Sequence, residues 1–484
     1  MEPIRFLLDG DSYAIEVSDP TRTLLQFLRE DLRRVGSKEG CAEGDCGACT
    51  VVLAELVGGQ PRYRAVNACI QFLPTLDGKA LFTVESLKGA DGSLHPVQQA
   101  MVDHHGSQCG FCTPGFIMSM FALYHNNPAP TRAEIDDALS GNLCRCTGYR
   151  PIVDACVHMY DYPRVEIDAT ALLAGLNAVE RKAGLSIELE KASYHAPSSS
   201  DELAELYQRW PGAQILAGGT DVGLWVTKQL RELPTVIYLG NVAELKRLDC
   251  SERGIEVGAA VSLSDAFDAI VEPYPEFGEM FRRFASVPVR NAGTLVGNVA
   301  NGSPIGDSMP ALMAIGTRVN LRLGEQRREM ALEDLYLDYM KNAMQPGEFI
   351  ESILIPPREA DLHLRCYKLS KRFDQDISAV CAAFAMHLDD GCVSEVRIAL
   401  GGMAAVPKRA LQTEQLLSGR RWDDATLGEA KASLGAEFTP MSDMRASADY
   451  RRRATANLLE RFFLETRPDA ALAGTEVSVF AVSA

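Results

Sequence analysis

The sequence has no long uninterrupted run of hydrophobic residues, so no part of it is predicted to span a membrane. Basic residues are also in short supply, because 48 Lys and Arg stand against 65 Asp and Glu and leave a net charge of −17. Nucleic-acid binding needs clustered Lys and Arg, so this balance argues against a nucleic-acid partner. The start MEPIRFLLDG lacks the basic residues, apolar run and cleavage site of a secretory signal, and we expect a cytoplasmic protein.

Cysteine, by contrast, is abundant and unevenly distributed. Of the 13 cysteines, those between Cys41 and Cys146 have short local spacings. In a reducing compartment such clustering indicates metal binding or catalysis rather than disulfides. The others are interpreted as small buried apolar residues: Cys156, Cys250, Cys366, Cys381 and Cys392.

The hydrophobic pattern changes along the 484 residues, a length that suits two to four domains. Over the first 80 residues, alternating apolar positions predict a hairpin, further strands and one helix. From about residue 94 the pattern predicts four short helices, one of them opened by a capping box of Thr131 and Glu134. A weakly patterned stretch at 163–190 precedes a mixed α/β region that begins near residue 191.

The first cysteine set is Cys41-x4-Cys46-x2-Cys49, with Cys69 further along. This spacing is the plant-type [2Fe–2S] ligand pattern, in which one loop directs three thiolates inward and a distant segment supplies the fourth. Glycines in the loop permit positive φ and bring N–H donors toward the sulfurs. Structural zinc is the alternative, although zinc sites usually pair two C-x2-C motifs.

The second set is Cys109-x2-Cys112 followed by Cys144-x-Cys146. A C-x2-C motif alone also suits a redox dithiol. Two separated pairs at predicted helix starts, however, favour a cluster held between helix N-termini, where the partial positive charge stabilises an anion.

These motifs resemble those of a known family. GCAEGDCGACTV, NAC, QCGFCTPG and GNLCRCTGYRPI are similar to the iron–sulfur portion of the molybdenum hydroxylase family, which includes the xanthine dehydrogenases. The resemblance implies two [2Fe–2S] clusters, the second of them nearer to molybdenum. It also matches Gln108 to a contact with the partner's pterin cofactor, for which a polar residue at a helix end is the alternative.

The segment ILAGGTDVG, residues 215–223, is an apolar stretch that leads into a Gly-Gly-Thr-Asp turn suited to a close phosphate contact. It is not a Rossmann fingerprint, because G-x-G-x-x-G and the later ribose-binding acid are missing. On its residues alone, an ordinary turn is the alternative. Together with the two glycine-punctuated turns of RNAGTLVGNVANGSPIGD, it resembles the FAD domain of the same family.

By that resemblance, the first segment lines the pyrophosphate, Phe284 packs near the flavin or adenine, and the residues around Thr294 and Asp307 hold the ribityl and phosphate groups. Core packing for Ile350 and a solvated surface position for Lys368 are the alternatives. The implied FAD contacts are Ile215, Leu216, Ala217, Gly218, Gly219, Thr220, Asp221, Val222, Phe284, Thr294, Leu295, Val296, Gly297, Asn298, Asp307, Ile350 and Lys368.

The expected fold is an α+β multidomain chain. It comprises a β-grasp ferredoxin-like domain at 1–85, a four-helix [2Fe–2S] domain at 86–162, a connector at 163–190, a non-Rossmann α/β FAD-binding domain at 191–365 and a C-terminal α/β domain of the flavin module at 366–484.

The resemblance implies electron transfer from a partner's molybdenum–pterin centre through both clusters to FAD and NAD+, while hypoxanthine and xanthine are oxidised to urate. Because the sequence ends at Ala484, we expect a separate small subunit that pairs with a molybdenum-binding large subunit, as two of each. Tyr339 is placed to stack on nicotinamide or to lie in the core. Phe373 and Gln375 stand where relatives often have charged residues, so the acceptor is less determined than the flavin. The alternatives are the same subunit of an aldehyde or N-heterocycle hydroxylase, and a zinc-stabilised scaffold without redox chemistry.

Overall fold

The computed structural model describes residues 2–89 and 91–477. The chain divides into two compact units. The first extends to Lys246 and takes in Ser262–Ser264 and Ala285–Thr294, and the second comprises Arg247–Val261, Asp265–Phe284 and the residues from Leu295 onward. Both units combine helices with β-sheets, which confirms the predicted α+β class. The domain bounds predicted from the sequence stay a prediction.

The strands of the described residues are β1 (Ile4–Leu8), β2 (Asp11–Ile15), β3 (Thr50–Val57), β4 (Gln60–Asn67), β5 (Ala80–Phe82), β6 (Leu185–Glu188), β7 (Ser193–Ala196), β8 (Gln214–Leu216), β9 (Thr235–Tyr238), β10 (Leu248–Ser251), β11 (Gly254–Gly258), β12 (Arg318–Leu323), β13 (Gln326–Ala331), β14 (Tyr336–Asp338), β15 (Lys341–Asn342), β16 (Phe349–Ile355), β17 (His363–Leu369), β18 (Val380–Asp389), β19 (Cys392–Gly401) and β20 (Lys408–Arg409).

The helices are α1 (Leu24–Gln26), α2 (Pro96–Asp103), α3 (Thr113–Asn126), α4 (Arg132–Leu139), α5 (Arg150–His158), α6 (Ala169–Val179), α7 (Ser200–Arg209), α8 (Val222–Thr227), α9 (Leu263–Val271), α10 (Gly278–Arg282), α11 (Val287–Ala292), α12 (Leu295–Asn301), α13 (Ser308–Ala314), α14 (Leu411–Leu417), α15 (Asp424–Glu437), α16 (Ala448–Thr466) and α17 (Gly474–Val477). Over the described ranges, none of these helices has the length and apolar character needed to cross a membrane.

The N-terminal part of the first unit is a five-stranded mixed sheet in the order β2-β1-β5-β3-β4. The predicted hairpin is confirmed, because β1 and β2 pair antiparallel from Ile4 opposite Ile15 to Leu8 opposite Asp11. β3, with the sequence TVVLAELV, is one of the further strands predicted for this region. Thr23 caps α1, which continues as a π-helical turn to Asp31 and corresponds to the one helix predicted for the first 80 residues.

Four helices, α2 to α5, follow as predicted. The capping box that opens α4 is confirmed, because Thr131 accepts from the Glu134 N–H and the Glu134 carboxylate accepts from the Thr131 N–H at 2.6 Å. Their shared core includes Phe116, Met120 and Ile152, all at most 1% exposed. The helices therefore form a compact layer that fixes the two cysteine pairs at the starts of α3 and α5.

The expected connector contains a helix. Leu172, Leu176 and Val179 recur at helical spacing in α6 and pack in one cluster with Leu7 of β1. Just after α6, Arg181 Nε lies 2.7 Å from Asp77 Oδ2, and both side chains are at most 8% exposed. This stretch is therefore anchored to the N-terminal sheet.

The first unit also contains a second sheet, in the order β6-β7-β9-β8, in which β7, β9 and β8 run parallel. One hydrophobic cluster includes Phe6 and Ile70 of the N-terminal part together with Leu216 and Val236 of this sheet. The turn after β8 is thereby positioned against the segment that carries Cys69.

The second unit contains an antiparallel sheet in the order β10-β11-β16-β12-β13, a short β14-β15 hairpin and a four-stranded sheet in the order β17-β18-β19-β20. The C-terminal residues contain the long strands β18 and β19 and the long helices α15 and α16, as expected for an α/β domain. Phe384 of β18 stacks on Phe462 of α16 at 5.2 Å between ring centroids.

The stretch RNAGTLVGNVANGSPIGD has its two glycine-punctuated breaks, at Gly293 and from Gly302 onward, but the residues between them were not predicted to be helical. Much of it is helical, as the end of α11 and the whole of α12. Leu295, Val296 and Val299 are at most 2% exposed, so an apolar face at helical spacing stabilises the helix between the two breaks.

Candidate functional site

The first cysteine set gathers beside the β3–β4 pair. Cys49 directly precedes β3 and Cys69 lies two residues beyond β4, while the Ala68 N–H donates to the Cys49 carbonyl at 3.3 Å. Cys41 and Cys46 come from the preceding loop, and the four thiols contact one another in the order Cys46, Cys41, Cys69, Cys49. The structure therefore brings together all four predicted ligands.

Hydrogen bonds to sulfur shift the pKa values of the thiols in this set. The backbone N–H groups of Glu43 and Cys46 both donate to Cys41 Sγ at 3.4 Å. Hydrogen bonds from the Cys46 and Cys69 side chains lower the pKa of Cys41, while hydrogen bonds to Cys41 and Cys49, together with burial, raise the pKa of Cys69. Convergent thiols with N–H donors fit an anionic iron–sulfur cluster.

The second set lies at two helix starts. Cys112 is the N-cap of α3, and Cys146 lies four residues before α5. Cys109 contacts Cys146, and Cys112 contacts Cys144, so each thiol meets one from the other pair. This cross-pairing favours a four-cysteine site over a dithiol within Cys109-x2-Cys112.

Burial and local donors act on these thiols as well. Burial raises the pKa of Cys112 to about 12. At Cys144, hydrogen bonds from the Thr147 hydroxyl and N–H outweigh burial and lower the pKa. The positive ends of α3 and α5 add to the preference for a negative group, so these residues also fit a cluster. Within residues 2–89 and 91–477, no group of three or more His, Cys, Asp or Glu side chains is arranged to hold a single metal ion.

The two cysteine loops touch. The Leu143 N–H, next to Cys144, donates to the Cys46 carbonyl at 3.0 Å. Asn142 Nδ2 donates to the Gly47 carbonyl at 3.1 Å. A Cβ built on Gly115 of α3 would lie only 2.1 Å from that same carbonyl oxygen. One hydrogen bond thus links the backbone of a ligand in the first set to the residue beside a ligand in the second.

The segment carrying Cys69 lies directly on the glycine turn after β8. Gln71 Nε2 donates to the Gly218 carbonyl at 3.2 Å. A Cβ on Gly223 would lie 2.7 Å from the Ile70 carbonyl oxygen. Ile70 directly follows Cys69 in the sequence and packs against the predicted phosphate turn. The first cysteine set and that turn are therefore linked by a single intervening residue.

The predicted flavin residues of the first unit fall on β8 and the following turn. Ile215 and Leu216 lie in β8, Gly219 adopts φ +75°, and Val222 begins α8. A Cβ on Gly218 would lie 1.9 Å from the Ala292 carbonyl oxygen, so packing within the unit already requires glycine there. The remaining turn residues are Ala217, Thr220 and Asp221. Thr294, also of this unit, forms a β-bridge with Ser262.

In the second unit, Asp307 and Lys368 form a buried ion pair. Lys368 Nζ lies 2.6 Å from Asp307 Oδ2 and donates to Ser378 Oγ at 2.8 Å, and its side chain is 2% exposed. The alternative of a solvated surface lysine is therefore wrong. The second carboxylate oxygen, Asp307 Oδ1, is buried with no hydrogen-bond partner in the described part of the chain. An unpaired buried acceptor beside a fixed cation fits a hydroxyl-bearing ligand such as the ribityl chain of FAD.

The other predicted flavin residues of this unit vary in exposure. Asn298 accepts from the Ser308 hydroxyl. Leu295, Val296 and Ile350 are at most 4% exposed, and Ile350 lies in β16 opposite Leu321, so its position also fits core packing. Gly297 and Phe284 are half-buried, and Phe284 contacts Phe267 edge-on at 5.5 Å. Flavin contact by all these residues stays a prediction.

Family models match most of the chain. A 2Fe-2S iron-sulfur cluster binding domain matches residues 6–72, and a [2Fe-2S] binding domain matches 83–157. The FAD binding domain in molybdopterin dehydrogenase matches 188–358, and the CO dehydrogenase flavoprotein C-terminal domain matches 365–466. The chain belongs to the molybdenum hydroxylase family. It contains the iron–sulfur and flavin domains of that family.

Whole-chain relatives agree with this assignment. Xanthine dehydrogenase of Emericella nidulans is 31% identical over 96% of the chain and 38% of its own length. Aldehyde oxidase 4 of Cavia porcellus is 30% identical over 96% of the chain and 39% of its own length. A carbon monoxide dehydrogenase structure from Hydrogenophaga pseudoflava superposes with a TM-score of 0.54, at 25% identity, over 59% of this chain and 98% of that one. The chain thus spans well under half the length of these curated relatives.

Two asparagines at the cysteine loops were not predicted as functional residues. Asn67 lies at the end of β4 and is 1% exposed, and Asn142 precedes Leu143 and is 2% exposed. Both are polar residues within two positions of a ligand cysteine, in the motifs NAC and GNLC. That adjacency is the sequence signal that identifies them.

Proposed function

We propose that this chain is the electron-transfer part of a xanthine dehydrogenase. Electrons from hypoxanthine or xanthine, oxidised to urate at a partner's molybdenum centre, pass through two [2Fe–2S] clusters to FAD and then to NAD+. The partner is a molybdenum-binding large subunit, assembled with this chain as two of each. The cytoplasm is the proposed location.

The contacts in the first unit carry this proposal, because they suggest an order for the centres. The second cysteine set touches the first through the hydrogen bond from Leu143 to Cys46. The first set touches the glycine turn through Ile70 and Gln71. This succession supports electron flow from the Cys109, Cys112, Cys144 and Cys146 site to the Cys41, Cys46, Cys49 and Cys69 site, and from there to flavin.

When bound, iron–sulfur clusters carry single electrons, and FAD converts these into the two-electron exchange that NAD+ requires. The residues of this chain hold and tune those groups. Cysteine thiolates bind the irons, backbone N–H groups at Cys41 and Cys144 stabilise negative sulfur, and the Asp307–Lys368 pair orders the flavin-facing part of the second unit.

Exposed apolar side chains beside the second cysteine set support a partner at that site. Cys109 and Cys146 are exposed, and Phe111, Leu143 and Tyr149 expose 47%, 40% and 41% of their surface. Exposed aromatic and aliphatic side chains near a redox group are typical of a surface covered by another protein. Gln108, also exposed, is the proposed contact to the partner's pterin.

Support for NAD+ as acceptor comes from the β14–β15 hairpin and the relatives. Tyr339 at its tip is 61% exposed, so core packing of this ring is wrong and the ring is free to stack on a planar ligand. The relatives named xanthine dehydrogenase favour a dehydrogenase acceptor.

A second candidate is the same role in a hydroxylase acting on an aldehyde or an N-heterocycle. The similarity to aldehyde oxidase 4 and to carbon monoxide dehydrogenase favours it. Activity of the complex co-expressed with its partner separates the two. Oxidation of xanthine, with reduction of NAD+, supports the first, and oxidation of aldehydes alone supports the second.

Iron, zinc and flavin analysis of the purified full chain, followed by anaerobic NADH titration, tests the electron path. The expected result is about four irons and one FAD per chain, with visible bands that bleach on addition of NADH. A colourless, zinc-loaded protein would refute the proposal and support the scaffold. Iron without flavin would refute the hydride step.

A matched pair of serine variants refines this test. Cys146→Ser is expected to remove the second cluster while NADH still reduces flavin and the first cluster. Cys250→Ser, at an exposed cysteine outside both sets, is the control and keeps all centres. Loss of the first cluster in Cys146→Ser alone would contradict the assignment of ligands.

A further inference from the structure

The Asn67 side chain is buried without a hydrogen-bond partner. It is 1% exposed, and neither Oδ1 nor Nδ2 is bonded to any other group in residues 2–89 and 91–477. Buried side-chain amides in folded proteins nearly always find a partner. An amide left unpaired at both ends therefore points to a group that the polypeptide itself does not supply.

The surroundings of Asn67 identify what kind of group this is. Asn67 is the last residue of β4 and pairs with Thr50, which follows Cys49. A Cβ placed on Gly44, in the loop between Cys41 and Cys46, would lie 3.8 Å from Asn67 Oδ1. The amide lies beside the Cys49 sulfur. Its polar end thus faces the space enclosed by the first cysteine set.

We propose that the Asn67 amide donates a hydrogen bond to sulfur at the first [2Fe–2S] cluster and thereby raises the reduction potential of that cluster. This inference rests on the cluster assignment made above and goes beyond it by naming a residue that sets the potential. Asn67 is a positioning residue here, since it acts through the sulfur and ligates no iron.

The sign follows from charge. Reduction adds an electron to an already anionic cluster, so an N–H donor at sulfur stabilises the reduced form more than the oxidised form. Burial strengthens the effect, because the amide acts in a medium of low effective dielectric constant. Removing the donor therefore lowers the potential, and replacing it with a carboxylate lowers it further.

The test is a redox titration of the full chain, loaded with iron and flavin, followed by EPR of each cluster. Asn67→Leu keeps the volume and removes the donor. At a fixed solution potential, the ratio of reduced to oxidised first cluster is expected to fall about tenfold, which is about 59 mV for a one-electron couple. Asn67→Asp is expected to lower it more than Asn67→Leu does.

The second cluster is the internal reference. Its midpoint potential is expected to stay unchanged in both variants. A general loosening of the fold would instead shift the midpoint potentials of both clusters. Asn177→Leu, at an exposed position of α6, is the matched control and is expected to change neither midpoint. The sulfur–iron stretching bands of the first cluster are expected to shift in Asn67→Leu alone, which is a readout independent of activity.

The outcomes separate this inference from the proposed function. If the wild-type chain contains no iron–sulfur cluster, the proposed function fails. If both clusters are present and Asn67→Leu leaves the first midpoint unchanged, or moves both equally, the role of Asn67 is overturned while the clusters stand. If Asn67→Leu fails to assemble the first cluster, Asn67→Asp decides by the same comparison. If neither variant assembles it, Asn67 is required for cluster binding and its role in setting the potential is overturned.

Discussion

Gly115→Ala tests the junction between the two cysteine loops. Gly115 lies in the first turn of α3, three residues after Cys112, and faces the loop that carries Cys46 and Cys49. A Cβ there would lie 2.1 Å from the Gly47 carbonyl oxygen and 3.0 Å from Asn142 Nδ2. One methyl group would therefore force the loops apart.

The expected cost follows from how firmly that carbonyl is held. The Gly47 oxygen accepts from the Thr50 N–H at 3.0 Å, from Thr50 Oγ1 at 2.7 Å and from Asn142 Nδ2 at 3.1 Å. Overpacking costs about 1–3 kcal/mol, and each weakened hydrogen bond adds about 1 kcal/mol, so we expect about 3 kcal/mol of lost stability. In a unit of about 250 residues that lowers Tm by roughly 6–12 °C.

The measurements are thermal unfolding of the full chain and EPR of the two reduced clusters. Gly115→Ala is expected to lower Tm and to weaken the magnetic interaction between the clusters, because the hydrogen bond from Leu143 to Cys46 lengthens. Gly428→Ala, in the exposed face of α15 with open space around its Cα, is the control. It is expected to stabilise the protein by about 0.5–1 kcal/mol, since alanine is the better helix former. A Tm in Gly115→Ala within 2 °C of the wild type, with unchanged coupling, would refute the proposed contact.

Three further perturbations give independent tests. Burial, with a neighbouring histidine charge, lowers the pKa of His95 to about 4. The contribution of His95 to stability is therefore complete above its unfolded pKa of about 6.5 and is lost as the pH falls toward 4. In denaturant titrations at several pH values, His95→Gln should remove up to about 3 kcal/mol of that loss, and an unchanged pH slope would contradict this. Lys368→Met leaves Asp307 buried without its cation, so we expect a loss of about 3–5 kcal/mol in denaturant titrations and less bound flavin by absorbance; full flavin content would exclude a role in the site. Arg290→Met breaks an ion pair with a carboxylate of α4 at 2.8 Å, in which the arginine is 7% exposed. It should lower the free energy of unfolding by about 2 kcal/mol, whereas the exposed Arg132→Met should lower it by under about 0.5 kcal/mol. Equal losses in denaturant titrations would show that burial does not strengthen this pair.

Local signals in the sequence account for much of the fold. Proline at the first position of α2, the capping box of α4 and the alternating pattern of β1 each fix an element by short-range chemistry. The cysteine spacing likewise determines which thiols converge. A loop whose three ligands are separated by four and by two intervening residues has few ways to wrap a cluster, so its geometry is encoded over nine residues.

Long-range packing accounts for what could not be predicted. The glycines of the 293–306 stretch indicated turns, and breaks occur at Gly293 and Gly302, but the helix α12 between them was missed because its apolar face buries in the second unit. Residues 163–190 gave a weak pattern because the exposed face of α6 carries alanines instead of charged residues, and its buried face packs against a sheet formed far away in the sequence. Asn67 was missed for a similar reason, since its unpaired amide is visible only when β4, the cysteine loop and Gly44 have come together.

The shared hydrophobic core of the first unit holds the segment from Cys69 to Gln71 against the turn after β8. Phe6, Ile70 and Leu216 belong to one hydrophobic cluster, so the ferredoxin-like sheet and the sheet that ends in the glycine turn bury their faces against each other. Such a core resists independent movement of its two sides, because sliding one past the other would open cavities. The segment from Cys69 to Gln71 therefore stays on the turn at Gly218, and the distance between the proposed cluster and flavin sites is set by side-chain packing rather than by a flexible linker. Electron transfer needs such a fixed separation, and this core supplies it for the first cysteine set and the turn after β8 without any conformational step.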